Sequence, residues 1–573
     1  MAKKNLAGVR QADMPAHPRE KLGAEFLLEQ RDLAAQRRLG DSQLGGRFCE
    51  AATLGNPGEV EKLLTIHGLV SLVHISTAPA SVERRMQNRY PMRPPRRREF
   101  MSDELCDLSA RELHEAYHSR AVSPVEVATA VLARIDHLNP RFNAFASINP
   151  DVTMEMARSS ESRWLRDAPL GPGDGIPTTI KDVMQIRSWP TLCGSKTVSP
   201  DQPWTSDTAC VARLREAGAV FVGKTTTPEF GWKGLGDSPR HGETRNPWDP
   251  RLTPGGSSAG AGVAAAFGLG VWHAASDAAG SIRIPAAFCG VVGFKPTYGV
   301  VPLFPASVFS GLGHHGPIAR TVRDAAGMLA IMSGADPRDG VAAPSCARSL
   351  DMPACTDLAG LRIGYVADAD FPTDPDIRRL TDLAARNLQE LGAHVDDIDL
   401  DLTEARSQIE IQWQVGCALL LQSIPAADHH LVDAGLVRMA EAGERVSATQ
   451  FRAAQLAREQ LATKLNLLHE RVDLLVTPTV PILPFALGSE TPAQSRFAAW
   501  LDWTPFTYPF NLTQQPAASV PCGLTPTSLP AALQIVGKRF ADALVLRAAH
   551  ALEQSLRCCL TDRLQQLRAT SEP

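Results

Sequence analysis

Two serines stand 24 residues apart in surroundings rich in glycine and alanine: Ser257 in Gly255-Gly256-Ser257-Ser258, and Ser281 in Ala278-Ala279-Gly280-Ser281-Ile282-Arg283. A hydroxyl is a weak nucleophile at neutral pH and needs a base. Glycines let backbone N–H groups come close to a substrate oxygen. Both needs point to acyl transfer. A third residue is unusual for its place: Lys181 closes the β-prone run Ile176-Pro177-Thr178-Thr179-Ile180, which follows the turn at Asp174-Gly175. A lysine ending a buried strand is expected to send its ammonium to solvent or to pair with Asp182, unless the site uses it.

Three readings compete for the serine region. A phosphate-binding loop fails on detail, since neither G-x-G-x-x-G nor G-x-x-x-x-G-K-[ST] is satisfied around Gly255 to Gly262. A nucleophile elbow would centre on Ser258 in Gly256-Ser257-Ser258-Ala259-Gly260, with His314 or His315 as base. That turn must follow a buried strand, whereas Asn246 to Pro254 holds three prolines. The third reading groups Ser281 with Ser257 and Lys181.

On these residues the sequence resembles the amidase signature family. The resemblance runs from about Leu108 to Leu556, on Gly175-Ile176-Pro177 leading to Lys181-Asp182, Pro254 to Ser258, Asp277 through Ala286, and Gly293 with Lys295-Pro296-Thr297. It implies an α/β fold, with a mixed central β-sheet covered by helices on both faces. It also implies a Ser-cisSer-Lys triad in which Ser281 is the nucleophile, Ser257 a proton relay on a cis peptide bond, and Lys181 the base. Lysine is a base only when neutral, so burial must lower its pKa. The backbone N–H groups of Ala278, Ala279, Gly280 and Ser281 would hold the oxyanion, and the cycle would need no metal or cofactor. Asp277 and Arg283 are expected to brace the loop.

The family commonly has Gly-Thr-Asp-x-Gly-Gly-Ser where this chain has Ala275-Ser276-Asp277-Ala278-Ala279-Gly280-Ser281, and commonly an arginine where it has Val300. Neither departure removes a catalytic side chain. Family members include free-standing amidases and the ammonia-supplying component of the glutamyl-tRNA amidotransferase, its A subunit, which works with a partner. Thr226 to Gly231 and Thr507 to Thr513 look more like the free-standing type. An amidase acting on a small-molecule amide is therefore expected, and the amidotransferase component is the alternative. Trp503, Phe506 and Tyr508 could line its acyl pocket. A homodimer is compatible with the resemblance.

The elements that must position these residues alternate between helix and strand. Ser109 to Glu112 has a capping-box arrangement, and Ser123-Pro124-Val125-Glu126 starts a helix with proline at its first position. Helices are expected over Thr208–Ala217, Thr321–Met332, Asp374–Leu391, Gln408–Gln422, Thr449–His469 and Asp542–Leu556. Strands are expected at Ala219–Gly223, Leu361–Val366, Leu474–Thr477 and Ala532–Gly537.

The composition, 44% apolar and 21% charged, is that of a globular chain. A net charge of −4 gives no reason to expect nucleic acid as a partner. Eleven scattered cysteines indicate neither a disulfide framework nor a zinc site, which suits a reducing cytoplasm. The apolar run Leu63–Ile75 is too short to span a bilayer. Residues 1–100 carry 17 Lys+Arg against 11 Asp+Glu and end in Arg96-Arg97-Arg98. They read as a disordered or mis-assigned basic extension, ahead of an amidase domain at 101–560 and a polar tail at 561–573.

Overall fold

Ser109 and Ser123 cap their helices as the sequence requires. Each hydroxyl accepts the N–H of the glutamate three residues on, and that glutamate reaches back to the serine N–H. The first caps α1 (Ala110–His118), the second α2 (Pro124–Phe142), whose Val127, Val131, Ile135 and Leu138 recur on one buried face. These elements belong to a computed structural model that describes residues 102–343, 357–369 and 371–556. The basic segment 1–100 and the tail 561–573, set apart in the sequence, lie outside the described residues.

The strands are β1 (Phe145–Ser147), β2 (Pro177–Lys181), β3 (Val220–Thr225), β4 (Asp237–Ser238), β5 (Gly242–Glu243), β6 (Trp272–Asp277) and β7 (Val292–Lys295). They continue with β8 (His314–Ala319), β9 (Arg362–Tyr365), β10 (His394–Asp397), β11 (Leu474–Pro478), β12 (Ala517–Leu524) and β13 (Pro530–Gly537). Eleven of them form one sheet in the order β1-β3-β2-β6-β8-β7-β12-β13-β11-β9-β10, and β4 and β5 make a small separate hairpin. The sheet is mixed: β2 runs parallel to β3 and β6, β9 parallel to β10 and β11, and the remaining pairs are antiparallel.

Successive residues of a strand face opposite sides, and this sheet has a core on each. Leu474 and Val476 of β11 join one hydrophobic cluster and Leu475 the other; in β13, Leu533 and Ile535 join the first, Ala532 and Val536 the second. An α/β fold with helices over both faces results. The second core is roofed by α5 (Ala405–Gln422), α6 (Ala434–Glu444) and α7 (Ala448–Leu468), the first two packed closely together. Two shorter helices lie between the strands that carry the site: α3 (Ala259–Phe267) and α4 (Arg283–Cys289). Every residue of α3 is buried. A Cβ on Gly260 would lie 2.1 Å from the Ala144 carbonyl oxygen and 2.5 Å from the Thr226 nitrogen, so α3 meets its neighbours backbone to backbone.

Strands β6, β8 and β12 are not apparent from the sequence. The β8 segment carries no strand signal because it contains Gly316 and Pro317, and proline is disfavoured inside a sheet. The structure accommodates it because β7 pairs only with Ile318 and Ala319 of β8. Pro317 therefore needs pairing only on its β6 side, opposite Ala274.

Candidate active site

Lys181, at the C-terminal end of β2, is wholly buried. Its Nζ lies 2.7 Å from Ser257 Oγ and 2.9 Å from Ser276 Oγ, hydrogen-bonded to both. The pairing with Asp182 does not occur, because β2 ends at Lys181 and Asp182, in the turn that follows, is taken up by other partners. Asp182 instead takes Lys224 from β3 (3.0 Å) and the backbone N–H groups of Leu192 and Gly194. Burial pushes the Lys181 ammonium down to about 7, opposed more weakly by the Asp277 carboxylate. A lysine in this state holds a usable fraction of neutral amine near neutral pH.

Ser257 follows a cis peptide bond from Gly256 and is almost fully buried. Gly231 covers it closely: at φ +74° it carries no side chain, and a Cβ there would stand 3.3 Å from Ser257 Oγ. Ser258 has a different role from that of an elbow nucleophile. No strand leads directly into it, its hydroxyl donates to the Ser276 carbonyl (3.1 Å), and its N–H donates to the Ser281 carbonyl (3.1 Å). These bonds tie the two serine segments together.

Ser281 lies in the turn between β6 and α4, which is built on Asp277. That carboxylate accepts the N–H of Gly280 (2.7 Å) and of Ile282 (3.1 Å), and forms a two-pronged ion pair with Arg283 (2.9 and 3.0 Å). Burial would raise its pKa, but Arg283, with Lys295 and Asn511, holds it well below the usual carboxylate range. Arg283 continues outward to the Thr507 carbonyl, Gln534 Oε1 and Asn511 Oδ1, while Thr507 Oγ1 donates to the Ala279 carbonyl (2.7 Å).

This bracing alters the expected oxyanion set. Gly280 donates its N–H to Asp277, which removes it from the donors; those of Ala278, Ala279 and Ser281 meet no acceptor among the described residues. Positive φ in the turn falls on Gly280 (+128°) and not on Ala279, so alanine is accommodated at 279.

Ser257, Ser276, Ala278 and Ser281 line a cleft of about 360 Å³. Trp503, Phe506 and Tyr508, expected as its acyl pocket, lie fully buried in the second core and not among its lining residues. Their segment supports the Ser281 turn through Thr507 instead. The aromatic lining comes from Phe230, Phe309 and Trp413, with Trp204 near the chain's 198–208 loop. Phe309 and Trp413 stack with centroids 4.1 Å apart. Neither residue sits in a recognisable motif; the one signal in the sequence is an aromatic on the buried face of the 408–422 helix.

His314 and His315 also line the cleft, on β8 opposite Asp277 and Ser276. His314 Nδ1 is held by the Leu312 carbonyl (2.7 Å), and His315 Nδ1 is 3.7 Å from Cys210 Sγ. Burial keeps His314 well below its ordinary pKa and pushes His315 down to about 4; Ser258 Oγ donates to the Ser276 carbonyl and is hydrogen-bonded to neither imidazole. Among the described residues no three His, Cys, Asp or Glu side chains converge as metal ligands, and no helix is long and apolar enough to cross a membrane.

Residues 126–546 match the family model described as Amidase. The chain belongs to the amidase signature family. It is similar to an acylamidase of Rhodococcus erythropolis, 36% identical over 451 residues that cover 77% of this chain and 94% of the relative. It is also similar to the A subunit of the glutamyl-tRNA(Gln) amidotransferase of Carboxydothermus hydrogenoformans, 34% identical over 79% of this chain and 98% of that one. Among solved structures it resembles a bacterial aryl acylamidase of the amidase signature family, with a TM-score of 0.75, 29% identity, and coverage of 81% and 99% of the two chains. Peptide amidase from Stenotrophomonas maltophilia matches with a TM-score of 0.67 at 27% identity, covering 79% and 97%. This member of the family is an amide-hydrolysing enzyme.

Proposed function

We propose that this protein is a free-standing amidase that cleaves a carboxylic acid amide through Lys181, Ser257 and Ser281. The observation that carries the reading is the wholly buried Lys181, which is hydrogen-bonded to Ser257 and Ser276 and has no carboxylate partner among the described residues. Neutral Lys181 takes a proton from Ser257 as Ser257 takes one from Ser281. Ser281 Oγ then bonds to the carbonyl carbon. The developing oxyanion is received by the N–H groups of Ala278, Ala279 and Ser281. The proton returns through Ser257 to the leaving nitrogen, the C–N bond breaks, and water cleaves the acyl ester by the same route in reverse.

The test is release of ammonia or amine from simple amides by the purified protein alone. A fluorophosphonate is expected to add to Ser281, and Ser281→Ala to abolish both turnover and the adduct, a loss of about 10⁴-fold or more. The relatives from glutamyl-tRNA(Gln) amidotransferases favour a second reading, a glutaminase that depends on partners. It predicts no turnover of simple amides without such partners.

A further inference from the structure

We propose that the cleft selects uncharged amides carrying an apolar aryl or alkyl group, and rejects amides that bring a carboxylate or an ammonium to the same position. This rests on the amidase reading and names its substrate class.

The titratable side chains that line the cleft are Asp277, His314, His315 and Cys193. The Asp277 carboxylate is already occupied by the paired bonds from Arg283 and by Asn511 Nδ2 (2.8 Å), so it has no charge to offer a ligand. The imidazoles are neutral as described, and burial pushes the Cys193 thiol up to about 12. Among the described residues no Lys, Arg or Glu side chain lines the cleft. A charged substrate group would therefore leave water without meeting an opposite charge, which is costly.

The opposite holds for an apolar group. Trp413 is fixed by three contacts: its indole N–H donates to the Trp232 carbonyl (2.8 Å), Trp500 packs edge-on against it, and Phe309 stacks on it. The result is a rigid apolar plane in the cleft that Ser257 and Ser281 also line, suited to an alkyl chain or an aryl ring.

The experiment measures kcat/KM on matched amides with the purified full chain: benzamide against 4-carbamoylbenzoate and 4-(aminomethyl)benzamide, and hexanamide against glutamine. The neutral member is expected to exceed each charged one by at least about 30-fold. A smaller ratio for either sign of charge overturns the proposal while leaving the amidase reading standing. No turnover of any amide, with no fluorophosphonate adduct on Ser281, would overturn the amidase reading and this proposal with it. As a second measurement, Phe309→Ala is expected to lower the benzamide-to-propanamide ratio of kcat/KM by at least about fivefold. An unchanged ratio would show that the stacked wall does not select the substrate.

Discussion

Two lysines end up wholly buried on neighbouring strands, Lys181 on β2 and Lys224 on β3, yet they are used in opposite ways. Lys224 meets Asp182 at 3.0 Å and adds bonds to Thr191 Oγ1 and the Pro190 carbonyl, so the cost of burying one charge is offset by another. Lys181 has two hydroxyls and, among the described residues, no anion within ion-pair range, and burial leaves its ammonium easy to deprotonate. The same residue type at the same depth is thus an ion-paired tie in one place and, in the proposed mechanism, the base in the other. What separates them is the partner, not the burial.

The largest effect that would test this contrast is on activity. Lys181→Met is expected to lower kcat by at least about 10³-fold. The same substitution should raise the apparent Tm by roughly 1–3 °C, because it removes a buried amine that the unfolded chain protonates more readily. The sign follows from linkage: with a folded pKa of about 7 against 10.5, the unfolded state binds more protons between these values, so the destabilisation from this group is absent above 10.5, builds as pH falls, and is full below about 7. Lys224→Met should do the reverse. It strands the Asp182 carboxylate and is expected to cost about 3–5 kcal/mol in stability, while kcat of the folded fraction stays within about tenfold. Equal losses of activity in the two variants would erase the distinction.

The smallest effect concerns Ser276, the second hydroxyl on Lys181. Ser276→Ala is expected to reduce kcat/KM about tenfold, the value of one buried hydrogen bond. In the wild type, kcat/KM should rise with pH through about 7 and level off above it, since only the neutral amine accepts a proton. An acid limb at the same pH in Ser276→Ala and wild type would mean that Ser276 positions the amine without tuning its affinity for protons.

Much of this is legible in the sequence. The capping serines, the Lys181 strand and the helices over the sheet follow from local patterns, whereas β3 runs past the expected Ala219–Gly223 to take in Lys224. β6 is not legible because Trp272-His273-Ala274-Ala275-Ser276-Asp277 lacks the β-branched residues that mark a strand; its neighbours in the sheet, not its propensity, make it one. Ser276 escapes notice with it, since only the pairing of β6 beside β2 brings that hydroxyl to Lys181. The misplacement of Trp503, Phe506 and Tyr508 has a related cause: an aromatic cluster in a sequence does not reveal whether it faces a cleft or a core. Here all three face the core.

Arg283, the hub behind the Ser281 turn, finds three of its acceptors on Thr507, Asn511 and Gln534, more than 200 positions further along the chain. A ribosome that has delivered both serines and the lysine has still not delivered those acceptors. The turn proposed to hold the nucleophile therefore completes its support only after residues 507–534 have joined the chain and packed against the earlier strands.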